Sequence, residues 1–585
     1  MSHTLFRIGF AAGAWPVLSM LFVIAINAEA RSPALPPSTI QVESPLAHAL
    51  ETAAPDALIP IVIVLREQLS VDHIRAGGRH SGDAGRRAVI QRLQAHACRT
   101  QEPILELLRA AAADGRAARI RPLWLANVIA ARVTPEVVYE LARRDDIAFI
   151  HREAFLGADA FPAGIAPGES PDGLSEVTCG VELIEAPPAW DYLRITGDGV
   201  VVAVIDTGAC IDHPDLRSHV WTNEGEIPGN RIDDDGNGYI DDVHGWNFES
   251  NTNDIADRNG HGTHVAGTVA GDGTDGTYTG AAPDALIMPL VFWNNIGGEM
   301  SVWQAMEYAV ANGAAVINGS LGWPHAVQPN RRVWREVCEN AIAAGVTVVY
   351  SAGSDGACCR PYDAVRTPGD VPGVITVGTT DCNDVAASFS SRGPVTWQDV
   401  PPFNDWPYPP GLIKPTVAGP GINTISCRAN PCNGYVTYSG ASMSTPHVAG
   451  AAALMLQAHP GLPPVELDRV LQATSRDLGE PGMDNTYGAG RIDAFGAVSQ
   501  VSCPFIQKFK AACKQDGTVK AVVKFTDRSW DGRAVRIGIG DAFEANAAVR
   551  GRKAKLKHCC LAGRQTVRLL APEDCREPVV VTCPQ

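Results

Sequence analysis

Between residues 301 and 353 one unit of pattern occurs twice. "SVWQAMEYAVANGAAVINGSLG" is a helix followed by a short apolar strand, and "WREVCENAIAAGVTVVYSAG" repeats that order. Upstream, "VVVAVID" is a continuous apolar run ending at Asp206, as expected of a strand buried on both faces of a parallel sheet. Strands alternating with helices in this way predict an α/β fold: a doubly wound parallel sheet with helices on both faces, running from about Val200 to Val498. Open sheets of this kind collect their working groups at the carboxyl ends of the strands.

That unit is only part of the chain. At 585 residues the protein is too long for a single core. At the N-terminus Arg7 precedes the apolar stretch "IGFAAGAWPVLSMLFVIA" and the small-x-small sequence Ala28-Glu29-Ala30. This reads as a secretory signal peptide over residues 1–30 in preference to a retained anchor. Residues from about 57 to 152 alternate strand and helix patterns and predict a small α+β domain. "GADAFPAGIAPGESPDG", residues 157–173, follows as an exposed linker. After about residue 500 the pattern changes to short alternating strands, "TVKAVVKF", "AVRIGIG", "QTVRLLA" and "PVVVTC". Residues 501–585 are therefore expected to form a Cys-rich β module. The net charge of the chain is −16, which argues against a nucleic-acid partner. The C-terminal module is nonetheless basic by roughly eight charges, and an ordinary solvated charged surface accounts for that first.

Cysteine usage fits an oxidising compartment, with 15 in the chain. Apart from Cys98, they fall into a block from Cys179 to Cys432 and a block from Cys503 to Cys583, each expected to pair within itself. "CRANPC" suggests a local Cys427–Cys432 bridge, while the neighbours Cys358 and Cys359, and Cys559 and Cys560, should reach distant partners.

Three segments carry candidate chemistry. "VVAVIDTGACIDHPDL" puts Asp206 at a strand end. "NGHGTHVAGTVAG" puts His261 and His264 at a helix start. "YSGASMSTPHVAGAAALMLQ" puts Ser442 just before a helix, with Pro446 expected in its first turn. Taken singly, each has a structural explanation as turn former, cap or N-cap. Together they supply what a nucleophilic serine requires: a base for its proton, and a carboxylate to orient that base.

These segments resemble the Asp, His and Ser motifs of subtilisin-like serine proteases, in that family's order, over roughly Gly180 to Val498. The resemblance implies that Asp206 orients the imidazole, His261 is the general base, Ser442 the nucleophile, and His264 structural. Ala441 and Ser444 replace residues the family commonly has, with little change in size. "SLG" (Ser320, Leu321, Gly322) resembles the edge that pairs with an extended peptide, and Ala352 and Gly353 would form the facing wall. Where the family usually places an oxyanion-binding Asn, this chain has Ser354. The resemblance further implies that residues 31–176 are an inhibitory propeptide, that residues 177–500 are catalytic, and that the chain processes itself.

"RIDDDGNGYIDD" spaces Asp233, Asp235 and Asn237 at alternate positions, with Gly238 for a turn and Asp241 beyond. This is the front half of a calcium loop, although the twelfth position is His244 instead of Glu. Structural Ca2+ is expected there; Asp254, Asp257 and Asp215 are weaker candidates. The expected protein is a secreted or periplasmic monomeric endopeptidase acting on proteins or peptides. Its own propeptide serves as intramolecular inhibitor, and it has no stable membrane anchor. The competing expectation is a protease-fold binding protein, silent because Ser354 replaces the Asn.

Overall fold

The computed structural model describes residues 41–42, 44–70, 83–156, 176–293, 297–356, 364–540, 543–559, 561–572 and 575–584. The expected signal peptide, Cys358, Cys359, Cys560 and the whole of the 157–173 linker lie outside these residues. The described chain forms two compact units. One draws on residues up to Glu67, Pro103–Arg121 and Ile129–Arg152; the other takes Gln68–Glu102, Pro122–Val128 and Glu153 onward.

The first unit is α+β, as expected. Strand Ile59–Leu65 pairs antiparallel with Ile147–Arg152, and helix Pro135–Leu141 packs into the same apolar cluster. That cluster also holds Leu46, from helix Ser44–Thr52, fully buried. The folded unit therefore begins earlier than residue 57, where an amphipathic stretch of only nine residues gave too short a periodic signal.

The second unit holds the doubly wound sheet. Its seven strands are all parallel, in the order Val417–Pro420, Ile375–Thr380, Thr347–Ser351, Val316–Gly319, Val201–Asp206, Leu286–Val291, Trp246–Asn247. Helix Ala441–Ala458 is buried along almost its whole length, as its small and apolar composition requires. One apolar cluster extends from this helix and the sheet into the C-terminal module, through Leu454, Val349, Phe525 and Trp530. The module is a seven-stranded antiparallel sheet, closed by Cys503–Cys575 and Cys513–Cys583.

Among the described residues, the bridges formed within the Cys179 to Cys432 block are Cys179–Cys382 and Cys210–Cys432. The expected Cys427–Cys432 bridge is not formed. Cys427 ends a strand whose pairing with Tyr435 aims the thiol into the core, where it is unpaired and fully buried.

Candidate active site

Asp206 is the last residue of its strand and is fully buried. Its Oδ1 accepts the Thr207 backbone N–H at 2.8 Å and lies 2.7 Å from His261 Nδ1. His261 opens helix His261–Ala270. The helix start can approach the strand end only because residue 262 is glycine: a Cβ there would lie 2.1 Å from the Gly208 carbonyl oxygen. Burial disfavours the charged imidazole of His261, but the charge and hydrogen bond of Asp206 outweigh it, so its pKa stands above the ordinary 6.5. His264, one turn on, is different. Its Nε2 is 3.0 Å from the Thr424 carbonyl and its ring stacks on Tyr438; burial pushes its pKa down to about 3.

Two residues with positioning contacts here were not singled out for that role from sequence. Asp257, a weak metal candidate above, accepts from Gly260 N, Thr263 N and Thr263 Oγ1 at 2.7–2.8 Å, and from Thr207 Oγ1 at 2.9 Å. The Thr207 hydroxyl in turn accepts the Gly262 N–H. Together they tie the start of the His261 helix to the end of the Asp206 strand. An acidic residue shortly before a helix start is the signal that could have found Asp257. Asp215 is likewise committed within the chain, to the Tyr435 hydroxyl at 2.9 Å.

Ser442 is the second residue of its helix, which begins at Ala441, two residues earlier than expected. Pro446 therefore falls beyond the first turn. It has no N–H for the Ser442 carbonyl four residues back, and the Ser320 hydroxyl donates to that carbonyl instead, at 2.9 Å. The Ser442 hydroxyl donates to the Ser320 carbonyl at 3.0 Å. Gly319 and Ile205 are paired in neighbouring strands, so Ser320 and Asp206 follow them at the same edge of the sheet. The backbone N–H of Ser442 is among the first four of its helix, which have no partner within the helix. Ser444, buried in the first turn, donates to Thr379.

Ser354 follows strand Thr347–Ser351 and is exposed. Its turn is built by others: Asp355 N donates to Ser391 Oγ, Arg366 grips Asp355 through two bonds, and Gly353 has φ +106°. The Ser354 hydroxyl has no hydrogen-bond partner among the described residues. Ala352, Ser320 and Leu321 are buried, and Ser351 Oγ bonds the Leu321 carbonyl, holding the two walls together at 3.1 Å. A Cβ on Gly322 would meet the Arg366 side chain at 2.8 Å.

Residues 153–156 run beside Gly297–Gly298. Leu156 pairs antiparallel with Gly297 and Phe155 with Gly298. Ala154 N donates to Glu299 Oε2 at 3.1 Å, and Met300 N donates to Glu153 Oε1 at the same distance. Burial pushes the Glu299 carboxyl up to about 8.

In the acidic loop the carboxylates that converge are Glu226, Asp233 and Asp235, whose oxygens lie within 4.8 Å of one another. Asn237 is hydrogen-bonded to Asp233, Asp235 and Asp242. Asp241 faces elsewhere: its two oxygens accept the backbone N–H groups of Asn230 and Arg231. Glu226 was not expected from the spacing, because it precedes the loop. A cluster of hard oxygen donors fits a calcium ion.

A parallel sheet presenting carboxylate, imidazole and serine groups about one carboxyl edge has the layout of a serine hydrolase. Residues 197–490 match the subtilase family, and the chain belongs to that family of serine proteases. It is 33% identical over 323 residues to subtilisin BL of Lederbergia lenta, covering 55% of this chain and 98% of that protein. It is 32% identical over 286 residues to an intracellular serine protease of Paenibacillus polymyxa, covering 48% and 74% respectively. Identity to bacillopeptidase F of Bacillus subtilis is 30% over 446 residues, 71% of this chain and 29% of that protein.

Proposed function

We propose that the chain is a secreted or periplasmic, monomeric serine endopeptidase that cuts protein or peptide substrates and is made as a self-processing precursor. The 2.7 Å contact between Asp206 and His261 carries this reading, since a buried carboxylate on Nδ1 leaves Nε2 for the nucleophile. The Ser442 hydroxyl attacks the peptide carbonyl carbon and its proton passes to His261 Nε2. The tetrahedral oxyanion is met by the Ser442 backbone N–H, at the positive end of its helix, and partly by Ser354. His261 then gives the proton to the leaving amine, and the peptide C–N bond breaks. Water, deprotonated by the same imidazole, hydrolyses the acyl-enzyme and restores Ser442. Asp206 stays ionised and stabilises the imidazolium.

Residues 31–176 act as the propeptide, the extended 153–156 segment lying beside Gly297–Gly298 in the manner of a substrate strand. The Ser320–Gly322 edge and the Ala352–Gly353 wall then receive the residues before the cut bond. Glu226, Asp233 and Asp235 would hold a calcium ion whose contribution is to loop stability, not to the reaction. A fluorophosphonate probe, which reacts with activated serines, tests the reading. The parent should label and Ser442→Ala should not, and that variant should accumulate as uncut precursor. A folded parent that never labelled would favour the binding-protein alternative.

A further inference from the structure

Three neighbouring strands of the C-terminal module, Ile506–Cys513, Val519–Phe525 and Lys553–His558, turn alternate residues to one outer face. Their inward positions, among them Phe509, Val523 and Ala554, are buried in the core. The outward positions are almost all lysine. In the pairing register Lys508 stands beside Lys524, Lys524 beside Lys553, and Lys553 beside Arg550 of the next strand. That row of cations crosses four strands set roughly 4.8 Å apart. In the second row Lys510 and Lys555 flank Val522, and in the third Lys520 pairs with Lys557. Apart from the half-buried Lys520, all these cations are exposed.

No carboxylate pairs with any of them among the described residues. Like charges directly opposite one another in a sheet are destabilising. The Lys508 ammonium is held below its ordinary range, first by a hydrogen bond and the charge of Lys510, two residues on along the same strand, and less by the charge of Lys524 opposite. A purely solvated surface would be served as well by mixed charges, and the chain as a whole is acidic, at −16. The face therefore carries an uncompensated charge that only an external anion can offset.

The form of the array narrows the partner. The cations spread in two dimensions, whereas a single polyanionic strand would engage one row. The residues between them are small or half-buried, Ala512 and Val522, with no aromatic ring on which a base could stack. Lysine supplies compact point charges without the fork by which arginine reads individual groups. We propose that this outer face docks the protein on an anionic lipid surface, by charge and without insertion.

Vesicle co-sedimentation of the full chain tests this. The protein should pellet with vesicles of mixed phosphatidylglycerol and phosphatidylcholine and not with phosphatidylcholine alone, and about 0.5 M salt should release it. Each lysine removed should weaken binding about fivefold, so combining Lys508→Gln, Lys524→Gln and Lys553→Gln should weaken it about a hundredfold. Because those changes relieve repulsion, the melting temperature should hold or rise. The combination Lys510→Gln, Lys555→Gln and Lys557→Gln supplies an independent set should the first fail to fold. Equal binding to both vesicle types, or unweakened binding by a folded variant, overturns the proposal. Retention on a sulfated polysaccharide without vesicle binding also overturns it, in favour of a soluble polyanion.

Discussion

Ser320 and Ser442 exchange hydrogen bonds in both directions, each hydroxyl donating to the other's backbone carbonyl at 2.9 and 3.0 Å. The exchange joins the end of one central strand to the start of the helix that carries the proposed nucleophile. It also supplies the donor that Pro446 cannot give to the Ser442 carbonyl.

Ser320→Ala should therefore cost stability as well as rate. It leaves a carbonyl without its donor, at about 1–3 kcal/mol. The melting temperature should fall, and kcat should fall more than KM rises, because the helix start loses an anchor. An unchanged melting curve would mean that water takes the place of the hydroxyl.

The raised pKa of His261 sets a pH profile. The base works only when neutral, so the acid limb of kcat/KM should lie above pH 6.5 and activity should grow toward alkaline pH. Asp206→Asn removes the charge that outweighs burial, so the limb should move down while kcat collapses. Stability runs the other way. A histidine whose folded-state pKa is raised contributes fully below its unfolded value, and the contribution is lost as pH rises through the folded one. A limb at or below pH 6.5 in the parent would contradict the pairing.

Ser354 should limit the rate. Its hydroxyl is exposed and uncommitted among the described residues, yet it is shorter than an amide by roughly one bond. In subtilisin itself, loss of the comparable Asn donor costs about 10²–10³ in kcat. Ser354→Asn should raise kcat with little change in KM, since the added bond forms mainly in the transition state. Ser354→Ala should lower kcat modestly. Identical kinetics in all three proteins would make Ser354 a turn residue only.

Calcium should act on stability. Chelation should lower the melting temperature and open the 226–241 loop to proteolysis, because an ion bound only to the folded state stabilises it. Glu226→Gln should blunt that response more than Asp241→Asn, because Glu226 converges with Asp233 and Asp235 and Asp241 does not. A melting curve indifferent to chelator and to millimolar calcium would leave a hydrated acidic loop.

The sequence by itself determined the sheet and the candidates on it. An apolar run ending in Asp206, a helix opening at His261 and another whose start carries Ser442 are local patterns, and local backbone preferences largely decide them. What joined distant segments was decided only in three dimensions. Cys432 lies close in sequence to Cys427 but bonds Cys210, because strand pairing turns Cys427 inward. Glu226 joins Asp233 and Asp235, whereas the Asp241 carboxylate is taken up by the backbone N–H groups of Asn230 and Arg231. The lysines looked like scattered charges until strand register set Lys508, Lys524 and Lys553 side by side. Side-chain periodicity is written along the chain, whereas register and long-range contact depend on how separate elements pack, and no single segment encodes that.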